Sequence, residues 1–281
     1  MTSANLSADR TPLADTAATV DTLNSWLHVR MGWPDDAAGW TCCADVDAGF
    51  LAAWENRIEG YVARTYGRSH PLTVSGFALD WYAAMAGLVG GACFRQARRV
   101  PHLSRPALAF RRHPDEEYPD GVALLDPRFW CLPGDPHANH PEATVVDDED
   151  ALAAVLRAEV RTHADDFFTA YAGRARLPRR HKLAAFFDGL DTGVWYGGNP
   201  QVGAAEEVLR LAATVLPGGT AEFGERSSIH LLTNRQGRTH LSRRRAGCCY
   251  YYKVDDGQQA CSTCPRVDDE ARAARYAEVD V

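Results

Sequence analysis

The sequence predicts an α+β protein, mainly helical, with a small antiparallel β-sheet part and a C-terminal hairpin that bears cysteines. Three observations carry that prediction. Apolar residues recur at helical spacing through several long stretches of the 281-residue chain. Eight of the fifteen prolines fall between Pro101 and Pro141, a density that continuous helix cannot survive and short strands can. The last third turns to short strand-like runs around glycine turns and gathers four of the eight cysteines between Cys248 and Cys264.

Taken in order, residues 1–12 are small and polar and read as a disordered tail. A first helix is expected over about 13–29. Between Asp45 and Tyr66 the residues Phe50, Trp54, Ile58, Tyr61 and Val62 share one helical stripe, with Asp45 or Asp47 as N-cap. Residues 72–94 are apolar on nearly every side, which predicts a helix inside the core, and Gly90-Gly91 either ends it or lets another element pack closely. The runs at 107–112 and 121–126 predict two strands joined by a turn. An acidic start at 147–150 opens a further helix whose stripe runs from Leu152 to Tyr171. Helices are expected at 179–195 and 201–216, parted by Tyr196-Gly197-Gly198-Asn199-Pro200, a turn or a cleft lining. Two strands flank the turn Gln236-Gly237, and a strand over 249–254 is expected to enter a hairpin turn at Asp255-Asp256-Gly257. This organises the chain as an α+β body over 13–225 with a segment over 226–281 packed on it.

Composition narrows the function. Thirty Lys and Arg against 37 Asp and Glu give a net charge of −7, which argues against a nucleic-acid partner. No window reads as a membrane span and the first residues do not read as a secretory signal, so a cytoplasmic protein is expected. In a reducing compartment, clustered cysteines point to metal or redox chemistry before disulfides. Cys42, Cys43, Cys93 and Cys131 lack such clustering and read as buried small apolar residues. His28, His163 and His181 read as helical capping or surface residues. No Walker loop, Rossmann glycine fingerprint or Gly-x-Ser-x-Gly is present.

The stretch 248–264 pairs adjacent cysteines, Cys248 and Cys249, with a Cys-x-x-Cys pair, Cys261 and Cys264. A hairpin between them brings all four thiols together. Zinc, an iron–sulfur cluster and two disulfides all fit four convergent thiols. Adjacent cysteines in extended chain point apart, which favours a cluster with two irons over one tetrahedral ion.

The residues "RRRAGCCYYY" at 243–252 and "CSTCP" at 261–265 resemble the C-terminal signature of the FhuF-type ferric-siderophore reductases. Here eleven residues separate Cys249 from Cys261, one more than the ten of the family's best-known pattern. The resemblance implies that Cys248, Cys249, Cys261 and Cys264 bind one [2Fe–2S] cluster. It further implies an oxidoreductase that passes one electron to an Fe(III)-siderophore, of hydroxamate type, and so releases Fe(II). Electrons would come from a separate donor protein such as a ferredoxin or flavin reductase. Arg243, Arg244, Arg245 and Tyr250 are the candidates for tuning the cluster or touching substrate, with strand alternation allowing one or two of the arginines to face it. The alternatives are a structural zinc protein whose helical part binds a partner or small molecule, and an iron–sulfur sensor or carrier without turnover.

Overall fold

The computed structural model describes residues 11–23, 27–36, 38–196, 204–255 and 260–278. Its organising element is the long helix α3 (Pro71–Ala97), preceded by α1 (Pro12–Asp21), strands β1 (His28–Met31) and β2 (Trp40–Cys42), and α2 (Ala48–Tyr66). The middle of the chain supplies β3 (Arg99–Pro101), β4 (Leu108–Arg112), β5 (Pro119–Leu124), β6 (Phe129–Cys131) and β7 (Ala143–Val145). Then come α4 (Glu149–Ala170), α5 (Arg179–Tyr196), α6 (Ala204–Val215), the hairpin β8 (His230–Thr233) and β9 (Thr239–Ser242), and α7 (Asp269–Glu278).

The expected α+β class holds. Strands form a four-stranded sheet in the order β1-β5-β4-β2, a three-stranded sheet β3-β6-β7, and the β8-β9 pair. The two central strands predicted at 107–112 and 121–126 are β4 and β5, antiparallel with Phe110 opposite Val122. Asp47 is the N-cap of α2, accepting the Phe50 N–H at 2.7 Å. On the predicted stripe Trp54, Ile58 and Val62 are buried, and the Trp54 indole N–H donates to the Glu117 carbonyl at 3.0 Å.

Three expectations need correction. The first helix stops at Asp21, whose carboxylate accepts the Val29 N–H at 2.8 Å and turns the chain back. Residues 28–31 then join the sheet as β1, parallel to β5. Cross-strand pairing to a segment some ninety residues away overrides the local helical pattern. His28 therefore sits on a strand, and His163 is fully buried in α4 rather than at the surface. Residues 249–254 form no strand: they close in a 3-10 turn at Tyr251–Lys253. The expected turn at Asp255-Asp256-Gly257 lies partly outside the described residues, as do residues 1–10 and the segment 197–200.

Helix α3 is apolar all round because helices surround it. It is long and apolar enough to span a membrane, the one such helix among the described residues, and it is mostly buried inside the protein. Gly90-Gly91 does not end it. Instead α5 lies backbone to backbone against it: a Cβ on Gly87 would stand 2.4 Å from Leu190 N, and one on Gly193 would stand 2.5 Å from the Leu88 carbonyl oxygen. Only glycine permits that approach. The pair Gly189 and Gly193, one helical turn apart on α5, meets Ala83 and Leu88 of α3 in the same way.

Candidate metal centre

The cysteine segment is held against this helix pair by groups that come mostly from elsewhere in the chain. Asp188, buried in α5, accepts the N–H of Ala246 and the N–H of Gly247, each at 2.8 Å, directly before Cys248. Burial pushes the Asp188 carboxyl upward, opposed by Arg245, Arg243 and those two N–H groups. Helix α3 passes immediately beneath the cysteine backbone, since a Cβ on Gly76 would lie 2.8 Å from the Cys249 carbonyl oxygen. The Thr73 hydroxyl donates to the Tyr250 carbonyl at 2.8 Å. On the far side Arg272 of α7, 1% exposed, donates to the carbonyls of Arg243, Cys264 and Val267. The Arg245 N–H donates to the Thr263 carbonyl at 2.9 Å, and Cys264 N–H to the Cys261 carbonyl at 3.0 Å.

These ties set Cys248, Cys249, Cys261 and Cys264 around one small void, closed by Tyr251, Tyr252, Ala260 and Pro265. All four cysteines are free thiols. Cys249 and Cys264 are buried, whereas Cys248 and Cys261 are partly exposed. Interaction between the two thiols raises the Cys249 thiol and lowers Cys261; the nearby Arg245 guanidinium favours the thiolate of both. Burial raises the Cys248 thiol. Among the described residues no three His, Cys, Asp or Glu side chains close on a point as one metal ion requires. A core of two sulfide-bridged irons does not ask for that, because each iron takes only two of the four sulfurs. The donor set and its apolar walls fit such a core.

Beyond the end of β9 the three arginines take different directions. Arg243, 4% exposed, donates to the Asp188 carbonyl at 3.1 Å and stands 3.5 Å from the carboxylates of Asp188 and Asp191. Arg245 pairs with Asp80 at 2.5 Å and lies 3.6 Å from Asp188. Arg244 is exposed and points away, 3.4 Å from Asp269. Tyr250 adopts a left-handed backbone, φ 58°, and its ring lies against His181 at 5.2 Å. His181 is also within hydrogen-bonding reach of the Cys248 backbone.

Both Cys249 and Cys261 also reach a cleft between α3 and α5, of about 390 Å³. Asp80, Asp188, Arg243 and Arg245 lie at its base, with Phe77, Trp81, Leu88 and Tyr251 among its walls. Sequence reasoning found the cysteines and the arginines. It missed Asp80, Asp188 and Arg272, each of which reads alone as an ordinary helix-surface charge. The one signal was an acid inside an otherwise apolar run: Asp80 in 72–94 and Asp188 in "AAFFDGLDTG".

Four thiols gathered around one void, beside the Arg245 guanidinium, fit the donor set of a thiolate-held iron–sulfur site. Residues 245–266, from Arg245 to Arg266, match the FhuF 2Fe-2S C-terminal domain. The cofactor of that domain is a [2Fe–2S] cluster. No curated protein matches the chain.

Proposed function

We propose that the protein is a ferric-siderophore reductase of the cytoplasm. The observation that carries the reading is the cysteine site itself: four thiols of the FhuF type around one void, two of which also reach an open cleft. Cys248, Cys249, Cys261 and Cys264 are the ligands in this reading. A [2Fe–2S] cluster held there supplies one electron at a time.

The substrate chemistry needs little else. Six hard oxygen donors hold Fe(III) tightly and Fe(II) weakly, so a chelated Fe(III) that gains one electron becomes labile. The chain's residues provide the setting. Asp188 and Arg272 fix the cysteine loops from both sides, while Arg245 places a guanidinium beside Cys249 and Cys261 and favours added negative charge there. Tyr251, Tyr252 and Pro265 cover the site and limit water. Electrons come from a separate donor protein, in keeping with a sequence without a nucleotide-binding motif.

Anaerobically purified protein is expected to be brown, with about two irons and two sulfides per chain, and to lose its colour in Cys261→Ser. After chemical reduction, adding a ferric trihydroxamate should restore the oxidised spectrum and yield Fe(II) that a ferrous chelator traps. Colourless protein with one zinc would overturn the reading; brown protein that no ferric chelate reoxidises would leave a carrier or sensor.

A further inference from the structure

We propose that the cleft between α3 and α5 is where the ferric chelate docks, and that it excludes chelates with net negative charge. This rests on the reductase reading above. The cleft holds about 390 Å³, within the range of roughly 300–1,000 Å³ usual for small-molecule sites. It touches the cysteine site through Cys249, Cys261 and Tyr251, so a molecule seated in it lies against that edge. Its apolar surface continues past Trp81. Trp81, Ala84 and Leu88 also line a second hollow of about 230 Å³, completed by Leu27, Met85, Tyr118 and Pro119. A hydroxamate chelate is a polar iron core wrapped in methylene chains; the core fits near Cys249 and the chains fit along Trp81.

Charge selects the class. The two arginines at the base are already engaged, Arg245 by Asp80 and Asp188, Arg243 by Asp188 and Asp191. Within the lining two carboxylates, Asp80 and Asp188, face two guanidiniums, and Asp191 is buried behind Arg243, so both cations are already paired. A tris-catecholate of iron carries three negative charges and would meet thiolates and carboxylates whose counter-charges, Arg243 and Arg245, are already paired. A neutral or cationic trihydroxamate meets no such opposition. Ala84 and Thr192 face the cleft from α3 and α5 respectively, so a larger side chain at either position occupies the space from opposite sides.

The test measures binding apart from turnover. Gallium(III) matches the charge of ferric iron and is not reduced, so equilibrium dialysis of the brown protein with a gallium trihydroxamate reads docking alone. Wild type is expected to bind it, with Ala84→Leu and Thr192→Leu each weakening binding about tenfold or more. The gallium tris-catecholate should bind at least as weakly as the trihydroxamate does to those variants. Each variant counts only with its visible spectrum and melting temperature near wild type, and the two enter from different helices so that one misfolded variant leaves the other. Unchanged binding in the folded variants, equal binding of the catecholate, or no binding to wild type would overturn the docking site. Reoxidation of the reduced wild-type protein by ferric trihydroxamate is scored separately: if it proceeds while the docking result fails, the reductase reading stands without this cleft.

Discussion

The carboxylate of Asp188 accepts the backbone N–H of Gly247 at 2.8 Å, joining the middle of α5 to the residue before Cys248. A second oxygen takes Ala246 N–H at the same distance. A carboxylate with both oxygens engaged by amides at the entrance to a cysteine pair fixes where that pair starts. Asp188→Asn keeps the size but presents an NH₂ group to one of the two donors. The expected result is a loss of about 1–3 kcal/mol of stability together with lower iron per chain. Denaturant titration and iron assay on the same sample check it, and full iron content would refute the positioning role.

Arginines that share a run should not share a phenotype. Arg245→Gln removes a partly buried cation beside Cys249 and leaves Asp80 without its partner, so the reduction potential should fall and the fold should weaken. Arg244→Ala alters an exposed pair with Asp269 and should leave potential and stability unchanged, the latter within about 0.5 kcal/mol. Redox titration followed by visible absorbance separates the two.

The contact between α3 and α5 predicts a steep cost for one methyl group. Gly193→Ala places a Cβ 2.5 Å from the Leu88 carbonyl, backbone against backbone, where neither helix yields easily. A destabilisation of about 1–3 kcal/mol is expected, read as a lowered melting temperature. Gly134→Ala, whose Cβ would meet nothing within 4 Å, is the control and should change stability by less than about 0.5 kcal/mol.

Acid should weaken the core through His163. Its Nδ1–H donates to the Leu103 carbonyl at 2.6 Å and its Nε2 accepts from the Tyr82 hydroxyl at 3.0 Å, a neutral ring with both nitrogens used. Burial, with Arg105 adding to it, depresses His163 from 6.5 to about 4. Below pH 6.5 the unfolded chain takes up a proton that the folded chain refuses. This contribution is therefore full above pH 6.5 and falls as the pH drops, by about 3 kcal/mol at pH 4. His163→Phe should be less stable at neutral pH and show a flatter decline from pH 6.5 to 4; an equally steep decline would remove His163 as the cause.

Legibility in the sequence followed the range of the interactions. The cysteine spacing was readable because a few bonds of chain limit how far apart the thiols of 248–249 and 261–264 can lie. Helices α2 and α4 were readable because their apolar stripes repeat over many turns, and α3 because it is apolar on nearly every side. Strand β1 was not, because four residues hold too few repeats and their partner is β5. Asp188 and Arg272 were hidden for the same reason. Each acts on a backbone group, the N–H of Gly247 or the carbonyl of Cys264, and backbone groups leave no mark in a sequence.

The glycine-to-backbone contact of α3 with α5 also bears on how quickly charge can move. Asp80 sits on one of these helices and Asp188 on the other, and both face Arg245, so the dipoles around Cys249 are set in two elements that cannot slide apart. In the reductase reading, a shell anchored in this way would turn little when an electron arrives or leaves, and so would keep the reorganisation energy small.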